Sequence, residues 1–435
     1  MDRAKAKEKH AVVLSGGGAF GAFHIGVLRA LVNGTSSATN RRPLEPEIFT
    51  GTSVGAYNAA VLVSKAELDA RASVAHLQDL WLDRIAGGLA DNGVMCLRDY
   101  PIPMLLPRHL VRARHWLRPA FGASLDAAQL SYKAGCCLTH FLARSLVRPT
   151  IRTLDLSASY LSHETQCLLA YFMGSTRLLM RRTVGTLDLG TFISMEPLHK
   201  LVRETISLEK MRKSNRTLKI ATTNWLTGEL RTFVHDPAKA GEWKEGEEES
   251  FTEESWPHAL IASTAIPGVF PAIKIDGAAH VDGGVVMNTP LKPAIRAGAT
   301  VVHLISLNAD ARNIRLDGGP ENTTNLFERF LNLMVSAAAD DDVKRAESIN
   351  KSLEEKSPPR TPRRKDGDPY RGITIHRYSP KTHLGGPMGM LDFRVERLRD
   401  RMKAGEMAAR AHNCEIEGCV IPIPEQVHPA NRLAS

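Results

Sequence analysis

Two short glycine-rich turns lie near the start of the chain, and each follows an apolar run. Residues 16–21 (GGGAFG) follow residues 11–14 (AVVL), and residues 51–55 (GTSVG) follow residues 48–50 (IFT). Each pairing predicts a buried strand that turns sharply into a helix. The second turn carries Ser53 at its apex, so the sequence predicts an α/β fold in which a serine is displayed between a strand and a helix.

The glycines at Gly51 and Gly55 frame Ser53 in a G-x-S-x-G pattern, the nucleophile elbow of serine hydrolases. Glycine is needed two residues on either side of the serine because a Cβ atom there would collide with neighbouring backbone. Ser53 Oγ would then stand clear of the sheet, at the positive end of the following helix.

A third motif, Asp282-Gly283-Gly284, lies much later in the chain. Each motif alone is a weak signal in a chain with 33 glycines, but the three together, in this order, are a strong one. Ester cleavage needs an oxygen nucleophile, a base and hydrogen-bond donors for the developing oxyanion. Ser53 supplies the nucleophile, and the successive amides of the first turn, at Gly17, Gly18 and Ala19, would supply the donors.

The order of these motifs resembles the patatin-like phospholipases. Further matches are residues 222–229 (TTNWLTGE), residues 262–271 (ASTAIPGVFP), and Asn288 with Pro290. The resemblance implies a three-layer α/β fold with a mainly parallel sheet and helices on both faces. It also implies a serine acyl hydrolase that cleaves lipid esters of the phospholipase A or lysophospholipase type.

The resemblance further implies an acyl-Ser53 intermediate, with Asp282 as the base and no histidine. It places the oxyanion hole at the first turn, at Gly16, Gly17, Gly18 and Ala19. It also implies supporting glycines beside the elbow and the aspartate, which are Gly51, Gly55, Gly283 and Gly284. An aspartate with its ordinary pKa near 3.9 is a poor base at pH 7, so Asp282 must be desolvated or tightly hydrogen-bonded. This chemistry requires no cofactor and no metal.

The resemblance covers residues 11–84 and 195–310. It departs from the family at Phe20, a position that is usually basic, and residues 85–194 match nothing in it. We therefore expect a charged tail over residues 1–10, a catalytic domain over 11–310 with a helical insertion over 85–194 as a possible lid, and a mostly helical C-terminal extension over 311–435. A disordered loop is expected near 354–370.

The chain has a net charge of +9, and part of it is concentrated in the insertion beside Trp116 and several leucines. The clustered arginines are Arg108, Arg112, Arg114 and Arg118. Such a segment suits peripheral contact with an anionic membrane, although a solvated helix face accounts for it equally well. No nucleic-acid motif accompanies the charge.

No apolar run is long enough for a transmembrane helix, and the N-terminus lacks the apolar core of a cleaved signal. Six cysteines are too few for a disulfide scaffold, and none of their spacings is that of a zinc site. A cytoplasmic protein that is peripheral at membranes is expected, with export by a route without a cleaved signal left open.

Three other interpretations remain. Residues 16–21 also fit a dinucleotide-binding loop, but the acidic residue that such a fold needs about 20 residues later is missing. An ordinary α/β-hydrolase would use Ser53, Asp282 and His303 in that chain order. A catalytically inert lipid-binding protein of the same fold is the third, and the intact motifs argue against it.

Overall fold

The computed structural model describes residues 8–87, 96–97, 193–239, 241–267, 270–307, 343–353, 372–385 and 389–422. The chain divides into two compact units, Met1–Leu97 with Ile193–Ser435, and Arg98–Phe192. The second unit lies outside the described residues. So do most of the expected lid and the loop near 354–370, and those two expectations stay predictions.

Ten strands of the first unit form one mixed sheet. They are β1 (His10–Leu14), β2 (Ile48–Thr52), β3 (Thr217–Asn224), β4 (Leu230–His235), β5 (Lys244–Glu245), β6 (Glu248–Ser250), β7 (Ile273–Ile275), β8 (Ala278–Asp282), β9 (Val301–Ile305) and β10 (Thr374–Tyr378). The spatial order is β10-β9-β1-β2-β3-β4-β6-β5, and β8 pairs with β3 and β7. The five strands from β10 to β3 are parallel to one another.

Helices cover both faces of this sheet. They are α1 (Ala22–Val32), α2 (Val54–Ser64), α3 (Ala70–Leu80), α4 (Glu196–Thr205), α5 (Leu208–Arg212), α6 (Ser255–Ser263), α7 (Leu291–Arg296), α8 (343–353) and α9 (Val395–Arg410). On one face α7 and α8 bury a cluster that includes Val13, Ile48 and Leu304. On the other, α2 packs on β1, β2 and β3, while α1 packs on α3 and α9. The fold is thus the α/β class that the sequence predicts.

The central strands are buried along their whole length, which explains their sequences. Every residue of β2 and β9 is buried, and apart from His303 these strands read as continuous apolar or small residues with no alternation. Parallel strands that are covered by helices on both faces have this pattern. None of the described helices is long and apolar enough to cross a membrane.

Residues beyond 310 belong to the same sheet as the catalytic motifs. Strand β10 pairs in parallel with β9, and α9 packs along α1. The two helices approach so closely that a Cβ on Gly26 would lie 1.8 Å from the Met402 carbonyl oxygen, and one on Gly405 would lie 2.1 Å from that of Phe23. The segment expected to be an extension therefore completes the sheet and covers α1.

Candidate active site

The elbow forms as the glycine pattern predicts, with β2 ending at Thr52 and α2 beginning at Val54. Between them Ser53 has φ 55° and ψ −127°, a strained conformation for a residue with a side chain. A Cβ on Gly51 would lie 2.3 Å from the Gly55 carbonyl oxygen, and one on Gly55 would lie 2.2 Å from that of Leu14. Both glycines are thus required by contact with backbone.

The strained turn is held by a serine that the sequence analysis did not single out. The Ser53 N–H donates to Ser263 Oγ at 2.9 Å, and the Ser263 hydroxyl donates to the Ala221 carbonyl at 2.7 Å. Thr52 Oγ1 adds a bond to the Met287 carbonyl at 2.8 Å. The sequence did carry one signal for this role, because Ser263 ends α6 within the ASTAIPGVFP segment that resembles the family.

Strand β3 brings Ser53 and Asp282 together. Thr52, the last residue of β2, pairs with Ala221, and Asp282, the last residue of β8, pairs with the next residue, Thr222. Strand β4 occupies one edge of β3. Strands β2 and β8 therefore share the opposite edge of β3, where they meet end to end. The Ser53 side chain lies beside the Asp282 carboxylate and favours its charged form.

The Asp282 carboxylate is buried, and this burial raises its pKa to about 7 despite the hydrogen bond from the Gly284 N–H and the neighbouring Ser53 side chain. The bond from the Gly284 N–H to Asp282 Oδ1 measures 2.7 Å. A Cβ on Gly283 would lie 2.3 Å from the Ala221 carbonyl oxygen, so glycine is needed there for β8 to end against β3. Burial thus supplies the desolvation that a basic aspartate requires.

The glycine loop, residues 16–21, runs beside the elbow. The Gly16 N–H donates to the Asn288 carbonyl at 3.1 Å, so the expected oxyanion donors reduce to Gly17, Gly18 and Ala19. No residue in the described part of the chain accepts a hydrogen bond from the Gly17 or Gly18 N–H. Gly18 has φ 56°, and a Cβ there would lie 2.3 Å from the Met390 carbonyl oxygen.

A buried arginine from α9 supports this loop. Arg401 donates to the carbonyls of Gly389 at 2.9 Å, Asp392 at 2.7 Å and Ala19 at 3.4 Å. Its guanidinium lies over the Phe20 ring, 4.9 Å from the centroid. The loop therefore has a cation beside it although Phe20 stands where the family usually has a basic residue, and no local sequence pattern could have indicated Arg401.

An apolar pocket with a cavity volume of about 80 Å³ opens at Ser53. Its lining includes Tyr57, Trp81 and Phe270 from the region around α2, α3 and α6. The segment 389–393, which follows β10 in the chain, provides further walls through Met390, Leu391 and Phe393. Ser53 and Thr264 are among its few polar contacts, so the space suits a hydrocarbon chain.

His303 lies on β9, away from these groups. Its Nδ1 lies 3.1 Å from the Tyr378 hydroxyl, and its ring stacks with His376. Within the described residues no hydrogen bond joins His303 to Ser53 or Asp282. The geometry therefore gives no support to a triad through His303. Elsewhere, the described residues hold a group of metal-binding type on β10 and after α9, consisting of His376, His412, Cys414 and Cys419.

Comparison with known proteins agrees with the motifs. The family profile described as patatin-like phospholipase matches residues 12–295, which is most of the chain. This chain belongs to the patatin-like phospholipase family. The matched range includes Ser53 and Asp282, while α9 and Arg401 lie beyond it.

The crystal structure of VipD from Legionella pneumophila is similar to this patatin-like chain at a TM-score of 0.31, with 14% sequence identity, over 92% of this chain and 67% of that chain. That likeness is too low to support an inference about fold or activity. A search of curated protein sequences found no significant match.

Proposed function

We propose that this patatin-like protein is a serine acyl hydrolase that cleaves lipid esters with a Ser53–Asp282 dyad. The observation that carries the proposal is that strand β3 places the elbow serine, Ser53, beside the buried carboxylate of Asp282, whose pKa is about 7. Such a carboxylate is a far better proton acceptor at neutral pH than an ordinary aspartate. The family to which the chain belongs acts on lipids, which sets the substrate class.

In the first step Asp282 accepts the Ser53 hydroxyl proton while Ser53 Oγ attacks the ester carbonyl carbon. The N–H groups of Gly17 and Gly18 receive the developing oxyanion, in the role for which preorganised backbone donors are suited. The tetrahedral intermediate expels the alkoxide, which takes the proton from Asp282 and leaves acyl-Ser53. Water then attacks the acyl carbon while Asp282 takes one of its protons. The second tetrahedral intermediate breaks the bond to Ser53 Oγ, which recovers the proton from Asp282 as the carboxylic acid is released.

The pocket favours an acyl chain over a polar substituent. Its walls are almost entirely apolar, and Ser53 lies at its polar end. A hydrocarbon chain placed there would bring its ester carbon to Ser53 Oγ, and each buried methylene would contribute about 0.8 kcal/mol to binding. We infer a phospholipase A or lysophospholipase activity, because a dyad without histidine suits esters, whose alkoxide leaves with little assistance.

Contact with an anionic membrane is part of the proposal. The turn between β3 and β4 presents Trp225 and Leu226, which are 56% and 81% exposed. Val285 and Val286, directly after the Asp282 turn, are 55% and 45% exposed. Exposed apolar residues at two neighbouring turns suit shallow insertion into a lipid surface. The arginine cluster of the insertion would add attraction for anionic lipid.

The test is hydrolysis of mixed lipid vesicles with identification of the released products, together with labelling by a fluorophosphonate probe. The Ser53→Ala variant should lose both activities and keep its fold, because the change removes one oxygen. His303→Gln is the matched control and should keep near-normal activity. Residual turnover by Ser53→Ala would exclude Ser53 as the nucleophile, whereas loss in His303→Gln with normal folding would replace the dyad by a triad.

A further inference from the structure

Four side chains with metal-ligating atoms meet at the edge strand β10 of the sheet, outside the active site. His376 comes from β10, and His412, Cys414 and Cys419 follow α9. Their ligand atoms all lie within 4.8 Å of one another. The two histidines are buried, and the cysteines are partly buried and form no disulfide.

The distances among these atoms match the edges of a zinc tetrahedron. Cys414 Sγ lies 3.6 Å from His376 Nδ1 and 3.5 Å from His412 Nε2, and Cys419 Sγ lies 3.4 Å from His412 Nε2. With zinc–sulfur bonds of about 2.3 Å and zinc–nitrogen bonds of about 2.0–2.1 Å, a tetrahedral site has sulfur–nitrogen edges of about 3.5 Å. These three sulfur–nitrogen distances are those expected around one ion, and the remaining pairs of ligand atoms lie within 4.8 Å of one another.

The surroundings hold the ligands in this arrangement. The Arg377 N–H donates to Cys419 Sγ at 3.3 Å, a bond that stabilises a thiolate. The Ser37 hydroxyl donates to the His412 carbonyl at 2.6 Å. Among the described residues, His412 Nδ1 is buried without a hydrogen-bond partner, and the His412 ring contacts both cysteine sulfurs through Nε2.

The backbone around the cysteines forms a compact loop tied to β10. Ile375 and Val420 exchange two backbone hydrogen bonds, of 2.7 and 2.9 Å, and the Cys419 N–H donates to the Cys414 carbonyl at 3.0 Å. Gly418 has φ 64°, which lets the loop return Cys419 towards Cys414. The spacing His-x-Cys-x₄-Cys, with a distant histidine supplied by a strand, escapes a search of cysteine spacings alone.

We propose that His376, His412, Cys414 and Cys419 bind one Zn²⁺ ion in a closed, structural Cys₂His₂ site. Two thiolates and two imidazoles are the donor set that zinc prefers, and four protein ligands leave no position for water or substrate. Binding releases the two thiol protons and leaves the site neutral overall.

The ion would fasten the C-terminal end of α9 to the sheet edge. Helix α9 carries Arg401, which holds the segment 389–393 and the Ala19 carbonyl, so the metal would act on the active site only through these contacts. This site is independent of the proposed hydrolase chemistry. A zinc measurement can therefore succeed whether or not the hydrolase assignment holds.

The experiment is elemental analysis of the full-length protein produced in zinc-supplemented medium and dialysed against metal-free buffer. We expect about one zinc per chain in the wild type and in Cys96→Ser, which changes a cysteine outside the group. Cys414→Ser should lose the stoichiometric zinc. Cys419→His, which keeps four ligands, should retain it, so this variant distinguishes ligand loss from misfolding.

Substitution of Co²⁺ for zinc provides a second measurement on the unaltered chain. A tetrahedral site with two thiolates should give intense visible bands and a sulfur-to-cobalt charge-transfer band, and zinc should displace them. Absence of metal from the wild type after folding with zinc, a Cys414–Cys419 disulfide in the freshly purified protein, or equal zinc in Cys414→Ser and Cys96→Ser would each overturn the proposal.

Discussion

Replacing Asp282 with asparagine should make this protein more stable at alkaline pH while it removes most of the activity. The carboxylate is buried, and its pKa in the folded protein is about 7, against an ordinary value of 3.8. Between these two values the folded state binds more protons than the unfolded state, so stability falls as pH rises through this interval. Asparagine is neutral at every pH and keeps an oxygen that can accept from the Gly284 N–H.

The change in the free energy of unfolding depends on the pH range over which it is measured. From pH 5 to the folded pKa near 7, each pH unit costs the wild type about 1.4 kcal/mol, which gives roughly 3 kcal/mol by pH 8. The stability of Asp282→Asn relative to wild type should therefore improve by up to that amount between pH 5 and pH 8. Ester turnover should fall by about 10²–10⁴, the range for loss of a general base.

Urea unfolding at pH 5 and pH 8, together with the pH dependence of kcat/KM, measures both consequences. Asp392→Asn is the control, because hydrogen bonds from Arg394 lower the pKa of that carboxylate to about 2. Its contribution is present above about pH 4 and constant between pH 5 and 8. An equal stability difference for Asp282→Asn at both pH values would refute the argument that burial makes Asp282 a base.

Gly18→Ala should cost on the order of 10²-fold in kcat by displacing the oxyanion donors, whereas Gly228→Ala, which has φ +70° but open space around it, should leave kcat unchanged; steady-state kinetics compare them. Arg401→Met should lower the free energy of unfolding by about 2–3 kcal/mol, measured by denaturant titration, because buried carbonyls lose a charged donor. Leu226→Ser should weaken hydrolysis of anionic vesicles and spare a soluble short-chain ester, while Met407→Ser, at another exposed apolar residue on α9, should change neither. Replacing all four clustered arginines with glutamine should reduce vesicle binding at low salt; these are Arg108, Arg112, Arg114 and Arg118. The same replacement should change vesicle binding little at 1 M salt, where the Debye length is about 3 Å.

The sequence was sufficient for the parts of the fold that depend on local pattern. The strands β1 and β2 and the helices after them followed from apolar runs with glycine turns, and the observed bounds differ from the predicted ones by a few residues. Apolar patterns likewise predict a strand pair over residues 217–223 and 231–234, a helix over 256–263, strands over 301–307 and 373–378, and a helix over 393–412. These correspond to β3 and β4, α6, β9 and β10, and α9. The short strands β5 to β8 were not predicted, because two to five residues carry too little periodicity to distinguish a strand from a loop.

The motifs predicted which residues occupy the candidate site but not what surrounds them. Ser53 and Asp282 could be paired only through the family resemblance, since their contact depends on the register of β3. Arg401, Ser263 and the pocket wall at 389–393 reach the site through tertiary packing. The histidine and cysteine group was missed for the same reason, because its members come from two distant segments.

The close packing of α1 against α9 has a consequence for how the chain folds as it is synthesised. Arg401 and Ala19 are 382 residues apart, and contacts of such long range slow folding. At about 5–20 residues per second, the ribosome needs roughly 20 to 75 s to produce the partner of α1 after α1 itself has emerged. During that interval the apolar surface of α1 has no cover from α9. We expect nascent chains to depend on chaperones, and a gene truncated after residue 310 to yield aggregated protein.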